Sequence, residues 1–386
     1  MAGARWYGID LAIHRLCSST ALSTETIDSF VEGHDFPIQE GVNTTFVFRG
    51  EANSVDLRHW IYGLPSTLPF RRIPSTDLWY LVLQLPEGSR VEYKFEVSTE
   101  QQHRLVRDPL NRFRAHDPYG SNSVCHGLGY RIPDWTVADP DARPGSLSHI
   151  FVNSKAFGAR RKVTIYLPPR YRASRSYPLL IVHDGLDYLR YASFETVLDN
   201  LIYRLEISPP VVALIRSANR LSEYAADRSH AAFVATELLP LLESRYSLLS
   251  GPSGRVLMGA SFGAVAALNV AWSYPGLFGG LLLESGAFAF TDIGTGQRGP
   301  AFEPVVRFMN RFRANPGNPA ERIFLSCGMY ESLIYENRSL VPVLQSTEMA
   351  LRYVESRDGH NWENWRDRLR EGLSFLLPGP LWLVYE

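Results

Sequence analysis

The sequence predicts an α/β fold, in which a mostly parallel β-sheet covered on both faces by helices follows a smaller all-β domain. In the C-terminal part, short apolar runs alternate with helical segments, which is typical of a parallel sheet with crossover helices. These runs are continuously apolar, as in strands that are buried on both faces of a sheet. In the N-terminal part, short strands alternate between apolar and polar residues and are bounded by turn residues, which indicates a β-sandwich.

The composition is that of an ordinary soluble globular protein. The chain has 386 residues, more than one domain usually holds, and 45% of them are hydrophobic. The formal net charge of -1 gives no reason to expect a nucleic acid or an anionic membrane as partner. The three cysteines are far apart and the histidines are scattered, so neither a disulfide framework nor a zinc site is expected. We therefore expect no metal and no cofactor.

The ends and apolar runs of the sequence predict a cytoplasmic protein. The N-terminal residues lack a basic region followed by an unbroken apolar stretch, so no signal peptide is expected. No apolar run is long enough to span a bilayer. An odd number of thiols also fits a reducing compartment.

Four segments are predicted along the chain. Residues 1–40 form a lead-in with a helical hydrophobic face, and residues 41–106 form the β-sandwich. Residues 107–148 are rich in Asp-Pro, Asn, Gly and Pro, which predicts an extended linker. Residues 149–386 carry the α/β pattern. The predicted strands are 44–49, 55–57, 78–85, 90–97, 161–167, 179–183, 211–215, 256–258, 280–283, 322–325 and 351–354, and the longest predicted helix is 233–246.

The stretch around Ser261 carries the clearest chemical signal. The sequence Gly259-Ala260-Ser261-Phe262-Gly263 lies between the apolar strand 256–258 and a helix of small residues, 264–268. Gly-x-Ser-x-Gly in this setting predicts a nucleophile elbow, a strained turn that exposes a serine above the sheet. The five residues alone also fit an ordinary tight turn, but their place between strand and helix favours the nucleophile.

A serine nucleophile needs a base, and the base needs an orienting acid. In the α/β-hydrolase layout the acid and then the histidine follow the serine, and His360 is the only histidine after the elbow. Glu331 follows the strand 322–325, where this layout places an acid, and is our candidate. Glu284, at the end of the preceding strand, is the alternative. Asp358 is too close to His360 and is predicted to shape its loop.

Two backbone amides are expected to bind the oxyanion. One is the N–H of Phe262, and the other is the N–H of Gly185 or Leu186, in a loop after an earlier strand. His183 and Asp184 precede the serine in the chain, so we expect them to make hydrogen bonds that shape this loop.

Arginines follow the strand 211–215 at the same predicted sheet edge. Arg216 and Arg220 are candidates for binding an anionic or polyphenolic substrate. A structural salt bridge between Arg220 and Glu223 fits the sequence equally well.

With these residues identified, the chain resembles the enterochelin (ferric enterobactin) esterases of the esterase D superfamily. The resemblance begins near Gly41 and extends over almost all of the remaining chain. It depends on Phe46-Val47-Phe48-Arg49-Gly50, Ser75-Thr76-Asp77-Leu78-Trp79, Glu92-Tyr93-Lys94-Phe95, Asp108-Pro109-Leu110-Asn111, His183-Asp184-Gly185, Glu237-Leu238-Leu239-Pro240, the elbow, Glu284-Ser285-Gly286, Glu331 and Asp358-Gly359-His360.

The resemblance implies an early-set, immunoglobulin-like β-sandwich in front of an α/β-hydrolase domain. It implies Ser261 as nucleophile, His360 as base and Glu331 as acid, although some relatives work with a Ser–His dyad. The family's substrate is a ferric catecholate trilactone, hydrolysed in the cytoplasm. This chain departs from the family pattern at Ala260 and Ala264 in the elbow region, and has Ala287-Phe288 where relatives carry a Trp pair.

We therefore predict a serine carboxylesterase that acts through an acyl-enzyme on a small-molecule ester, preferably an iron-loaded siderophore trilactone. An esterase for feruloyl or acetyl carbohydrates has the same chemistry, and the β-domain suits it. Acyl transfer to an acceptor other than water is a further alternative. A catalytically inactive glycan-binding module is the alternative from a different class.

Overall fold

The computed structural model describes residues 10–19, 22–291 and 298–380. Contacts divide the chain into a first unit, Met1–Arg131 with Arg357–Gly359, and a second unit, Ile132–Ser356 with His360–Glu386. The predicted lead-in also covers residues 1–9 and 20–21, and the predicted α/β domain includes residues 292–297 and 381–386. These four stretches lie outside the described residues.

The first unit consists of two short helices and two antiparallel sheets in its described part. One sheet has the strand order β1-β2-β6-β5, and the other has the order β4-β3-β7-β10-β9, with β8 paired to β7. The elements are α1 (Ala12–Cys17), α2 (Thr24–Glu32), β1 (Ile38–Glu40), β2 (Asn43–Arg49), β3 (Ser54–His59), β4 (Thr67–Pro69), β5 (Arg71–Arg72), β6 (Leu78–Gln84), β7 (Arg90–Ser98), β8 (His103–Val106), β9 (Arg114–Asp117) and β10 (Gly120–His126).

Side chains from the two sheets share one apolar cluster. Phe46 of β2 and Trp79 of β6 contribute to it from the first sheet, and Phe95 of β7 contributes from the second. The ring of Phe46 meets that of Tyr93 edge-on at 5.0 Å. The alternating burial of β7 follows from this packing, because successive side chains of a strand point to opposite faces. The immunoglobulin-like classification of this unit stays a prediction.

The segment 107–148 differs from its predicted form as a linker. Strands β9 and β10 lie within it and pair as a hairpin, with Asp117 opposite Gly120. The turn residues that suggested a linker therefore mark the bend between two strands. Polar contacts anchor the segment, since the Tyr93 hydroxyl donates to the buried Asp108 at 2.6 Å. Sequence periodicity missed these strands because they are short and largely polar.

The second unit is built around one sheet. Its strands are β11 (Ser146–Ser154), β12 (Ala159–Leu167), β13 (Leu179–Val182), β14 (Val211–Leu214), β15 (Arg255–Ala260), β16 (Gly280–Glu284), β17 (Arg322–Gly328) and β18 (Ala350–Ser356). Their order in the sheet is β11-β12-β14-β13-β15-β16-β17-β18. The strands from β14 to β18 in this order are parallel, whereas β11 and β12 are antiparallel at one edge, so the sheet is mixed.

Helices connect the parallel strands. They are α3 (Gly185–Tyr191), α4 (Phe194–Tyr203), α5 (Arg220–Glu223), α6 (Arg228–Ala232), α7 (Leu239–Arg245), α8 (Phe262–Ser273), α9 (Glu303–Ala314), α10 (Ile334–Gln345) and α11 (Trp362–Leu376). A π-helical turn, Phe233–Leu238, joins α6 to α7, and single 3₁₀ turns lie at Asp134–Thr136, Pro252–Gly254 and Pro300–Phe302. None of the helices within the described ranges combines the length and hydrophobicity that a membrane-spanning helix needs.

Apolar side chains on the two faces of this sheet belong to two different clusters. Leu180 of β13 packs in one cluster with residues of α4 and α11. Its neighbour Ile181 packs in the other with residues of α8, α9 and α10. Because each fully buried aliphatic side chain contributes about 1.5–3 kcal/mol, the two clusters together stabilise the sheet. The carboxyl ends of the parallel strands meet at one edge, and the candidate site lies there.

Candidate active site

The turn between β15 and α8 has the geometry of a nucleophile elbow. Ser261 adopts φ 57° and ψ -121°, and its backbone N–H donates to the Glu284 carbonyl at 2.9 Å. A Cβ on Gly259 would lie 2.4 Å from the backbone of Gly263, so the strand and the helix approach too closely for any side chain there. A strained backbone at a non-glycine residue costs about 1–3 kcal/mol and persists only where the surroundings enforce it.

His360 and Glu331 are brought together from different parts of the chain. His360 lies in the loop between β18 and α11, and its Nδ1 donates to Glu331 Oε2 at 2.5 Å. Glu331 follows β17, and its other oxygen accepts from the Gly328 N–H at 2.7 Å and from the Ser285 hydroxyl at 2.6 Å. The Glu331 side chain is buried, whereas that of His360 is 35% exposed.

The surroundings of Glu331 determine its charge. Burial raises the pKa of this carboxyl, but the charge of His360 and the hydrogen bonds from His360, Ser285 and Gly328 outweigh burial and lower the pKa below its usual value. An ionised carboxylate can only accept hydrogen bonds, so the proton of neutral His360 resides on Nδ1. Nε2 of the imidazole then carries a lone pair and can act as a base.

The two other carboxylates near these residues have different partners. Glu284 accepts the Tyr188 hydroxyl at 2.6 Å. Asp358 is buried and accepts the Gly359 N–H at 2.7 Å, as expected for a residue that shapes the loop.

Ser261 and His360 follow strands at the same edge of the sheet. Within the described part of the chain no hydrogen bond joins the Ser261 hydroxyl to His360. Such bonds are often long in enzymes without substrate and tighten when substrate binds. The direct pairing of these two side chains stays a prediction.

The backbone amides near Ser261 narrow the choice of oxyanion donors. The Gly185 N–H donates to the Ile215 carbonyl at 3.0 Å, so the prediction that offered Gly185 as a donor needs correction. The N–H groups of Phe262 and Leu186 lie in the first turns of α8 and α3 and have no acceptor among the described residues. Gly185 has a steric role instead, because a Cβ there would lie 2.5 Å from the Leu214 side chain.

Arg220 links the two loops that carry the candidate donors. Its Nε donates to Asp184 Oδ2 at 2.8 Å, and an Nη donates to the Ala260 carbonyl at 3.2 Å. The alternative of a salt bridge to Glu223 is wrong, because Glu223 pairs with Arg161 at 2.9 Å. Arg220 therefore has a structural task that the sequence did not reveal.

Arg216 lies exposed just beyond β14. Burial raises the pKa of Asp187, and the positive charges of Arg216, Arg220 and Arg190 oppose that rise. Arg216 thus lies close enough to the start of α3 to act on the charge of Asp187.

His183 and His230 form a buried pair next to the loop between β13 and α3. His183 Nδ1 donates to the Met258 carbonyl at 2.9 Å, and the two Nε2 atoms are 3.0 Å apart. Burial lowers the pKa of His183 to about 4, and burial also places the pKa of His230 well below its usual value. Both rings are therefore neutral at pH 7, and His183 joins the loop to β15 as expected. No motif in the sequence pointed to His230.

Two further residues contact the His360–Glu331 pair and were not among the predicted site residues. Ser285 hydrogen-bonds Glu331, and the indole Nε1 of Trp365 donates to Ser285 at 2.9 Å. The Trp365 ring also meets that of His360 edge-on, with centroids 5.1 Å apart. Ser285 lies in the Glu284-Ser285-Gly286 motif, on which the family resemblance partly depends, so the sequence could have pointed to it. Trp365 lies on α11 without any distinguishing pattern. The described residues contain no cluster of His, Cys, Asp and Glu that could hold a metal ion.

Comparison with known proteins gives one family and several relatives. The model of the family described as putative esterase matches residues 154–376. An iron(III) enterobactin esterase of Escherichia coli is 24% identical over 328 residues, which cover 78% of this chain and 80% of the relative. The resemblance expected from the sequence is thereby confirmed.

Solved structures show the same fold. The enterobactin esterase of Shigella flexneri, solved in the presence of enterobactin, covers 90% of this chain and 97% of its own with a TM-score of 0.74 at 21% identity. A ferulic acid esterase of Anaeromyces mucronatus, in complex with ferulic acid, covers 62% of this chain and 94% of its own with a TM-score of 0.51 at 18% identity. At these identities the likeness establishes the α/β-hydrolase fold.

Proposed function

The chain belongs to the putative esterase family and is a carboxylic ester hydrolase, and we propose that it is a serine esterase that hydrolyses a catecholate siderophore trilactone through an acyl-enzyme. In this proposal Ser261 is the nucleophile, His360 the general base and Glu331 the acid that orients the base. The free thiols of Cys17, Cys125 and Cys327 are consistent with action in the cytoplasm.

The first half of the reaction forms the acyl-enzyme. The Ser261 hydroxyl attacks the ester carbonyl carbon while Nε2 of His360 takes its proton. The N–H groups of Phe262 and Leu186 stabilise the negative charge that develops on the carbonyl oxygen. His360 then donates its proton to the leaving alcohol, and the C–O bond breaks.

The second half returns the enzyme to its starting state. His360 takes a proton from a water molecule, which attacks the acyl carbon. The same two amides stabilise the second oxyanion, and Ser261 leaves with the proton that His360 returns. Glu331 stays ionised throughout and stabilises the imidazolium that forms in each half.

The single observation that carries this proposal is the hydrogen bond between His360 Nδ1 and the buried, ionised Glu331. It fixes the tautomer that leaves Nε2 free to accept a proton. A histidine in a surface loop has no need of such a partner, whereas a catalytic base does.

The comparisons support the siderophore substrate over the carbohydrate ester. The enterobactin esterase fold covers 90% of this chain, whereas that of the ferulic acid esterase covers 62%. A ferric catecholate complex is an anion, and the exposed guanidinium of Arg216 beyond β14 suits it. Feruloyl esters remain the second candidate, because the smaller match covers most of the ferulic acid esterase itself.

Hydrolysis assays test both parts of the proposal. Ferric enterobactin and a feruloyl sugar are offered to the wild-type enzyme and to Ser261→Ala, and the products are separated by chromatography. We expect cleavage of the trilactone to linear esters, and a loss on the order of 10⁶-fold in Ser261→Ala. Activity on the feruloyl sugar alone would reject the siderophore substrate. Undiminished activity of a folded Ser261→Ala would reject the serine mechanism.

A further inference from the structure

Ser285 occupies an unusual place beneath the His360–Glu331 pair. It directly follows β16 and is fully buried. Its backbone has φ +46°, a left-handed conformation that side-chain-bearing residues rarely adopt. In the sheet, Glu284 pairs with Ala260 on one side and Ser326 on the other, so Ser285 lies between the strand of the nucleophile and that of the acid.

The partners of the Ser285 hydroxyl determine the direction of its proton. The indole N–H of Trp365 can only donate, and it lies 2.9 Å from Ser285 Oγ. A lone pair of the serine oxygen is therefore used by Trp365, and the serine proton is available for Glu331 at 2.6 Å. The hydrogen bonds run in one direction, from Trp365 through Ser285 to Glu331.

We propose that Ser285 is a positioning residue, which fixes the Glu331 carboxylate as the ionised partner of His360. This inference rests on the proposed function and adds a residue to it. Glu331 Oε1 receives Ser285 and the Gly328 N–H, so Oε2 is turned toward His360. The strained backbone of Ser285 is what directs its hydroxyl to that oxygen.

Loss of the hydroxyl would change how tightly the pair binds a proton. The Ser285 hydrogen bond is one of the causes that lower the pKa of Glu331, so without this donor the pKa of the carboxyl rises. The other titratable groups nearby include Cys327 on β17, Glu284 on β16 and the buried Asp358, which follows β18. Burial, followed by the charge of Glu331, raises the pKa of the Cys327 thiol, and burial raises the pKa of Glu284 to about 8. Both are neutral on the acid side of the pH profile.

The test compares two substitutions of Ser285. Ser285→Ala keeps the strained backbone and removes the hydroxyl, whereas Ser285→Gly also removes the strain. The pH dependence of kcat/KM is measured with p-nitrophenyl butyrate, a chromogenic carboxylic ester. We expect the acid limb to move up by about 0.5–1 pH unit in both variants. We also expect the plateau to fall about tenfold, like the losses that follow removal of groups orienting a catalytic ligand.

Controls separate this role from a structural one. Ser339→Ala on α10 removes a hydroxyl that donates to the Glu336 carbonyl at 2.8 Å, and it should match the wild type. An acid limb that stays in place or moves down in Ser285→Ala would overturn the inference, as would full recovery in Ser285→Gly. Equal activity of Ser261→Ala and wild type would instead reject the proposed function, which distinguishes the two failures.

Discussion

Glu284 and Glu331 are buried glutamates associated with the carboxyl ends of neighbouring strands, yet their carboxyl groups differ in charge. Burial raises the pKa of Glu284 to about 8, although the hydrogen bond from Tyr188 opposes the rise. Burial acts on Glu331 in the same direction, but His360, Ser285 and Gly328 lower its pKa below the usual value. At pH 7 the first carboxyl is therefore neutral and the second is ionised.

The difference between the two sites lies in the number and kind of their partners. Oε2 of Glu284 has one hydroxyl donor, and Oε1 has no partner in the described structure. Both oxygens of Glu331 accept hydrogen bonds, one of them from an imidazole that can become positively charged. Equal burial can therefore hold one carboxyl neutral as part of the core and another ionised beside the imidazole that we propose as the base.

Among substitutions of the two glutamates and their partners, replacement of Glu331 has the largest expected effect on activity. Glu331→Gln keeps the volume but can present an amide N–H to His360 Nδ1, which favours the wrong tautomer. We expect kcat/KM to fall by about 10⁴-fold, as for the corresponding change in other triads. Steady-state kinetics on the siderophore ester measure this loss, and circular dichroism checks the fold. A fall of tenfold or less would contradict the role of Glu331 and support a Ser–His dyad.

Glu284→Gln is the matched substitution one strand away. A neutral carboxyl and an amide are similar in size and charge, so we expect kcat/KM at pH 7 to stay within about threefold of wild type, a change of less than 1 kcal/mol in transition-state stabilisation. Activity lost to the same extent as in Glu331→Gln would contradict the assignment of different roles to the two carboxyls.

We expect the carboxyls of Glu284 and Glu331 to make the free energy of unfolding depend on pH in opposite directions, and the same two variants reveal this. The folded protein holds the Glu284 proton up to about pH 8, whereas the unfolded chain releases it near the usual glutamate pKa of 4.5. Between these values wild type loses stability, relative to Glu284→Gln, by up to about 1.4 kcal/mol per pH unit as the pH rises. The pKa of Glu331 is lower in the folded protein than in the unfolded chain. Its contribution to stability is therefore present above the pKa of the unfolded chain and is lost as the pH falls through the pKa of the folded protein. Urea unfolding of both variants and wild type across this range measures the slopes, and parallel curves would contradict the assignment.

The smallest expected effect comes from the partner of Glu284. Tyr188→Phe removes the one hydroxyl that bonds this carboxyl and should lower the free energy of unfolding by about 1–3 kcal/mol, the usual cost of a buried polar group left without a partner. Activity should change little, because Tyr188 does not contact the His360–Glu331 pair in the described contacts. A loss of activity without a loss of stability would contradict this separation.

Sequence reasoning identified the candidate site residues that follow from chain order. Ser261, Glu331 and His360 stand where the α/β-hydrolase layout expects them, and the order left one histidine to choose. Sequence reasoning could not decide whether the N–H of Gly185 or that of Leu186 is the second candidate oxyanion donor, because that choice depends on where the Ile215 carbonyl lies in space. The pairing of Arg220 with Asp184 and the chain from Trp365 to Glu331 likewise join residues that are distant in sequence. Polar hydrogen bonds of this kind leave no periodic signal, unlike the apolar strands of the sheet.

The central claim is that Ser261 is made nucleophilic by the base at His360. Fluorophosphonate labelling of the folded full-length protein, with the modified peptide located by mass spectrometry, tests it most directly. The account predicts one phosphonyl group on Ser261 in the wild type, with none in Ser261→Ala and much slower labelling in Glu331→Gln. Folded wild-type protein that stays unlabelled, or that carries the label on another residue, would contradict it.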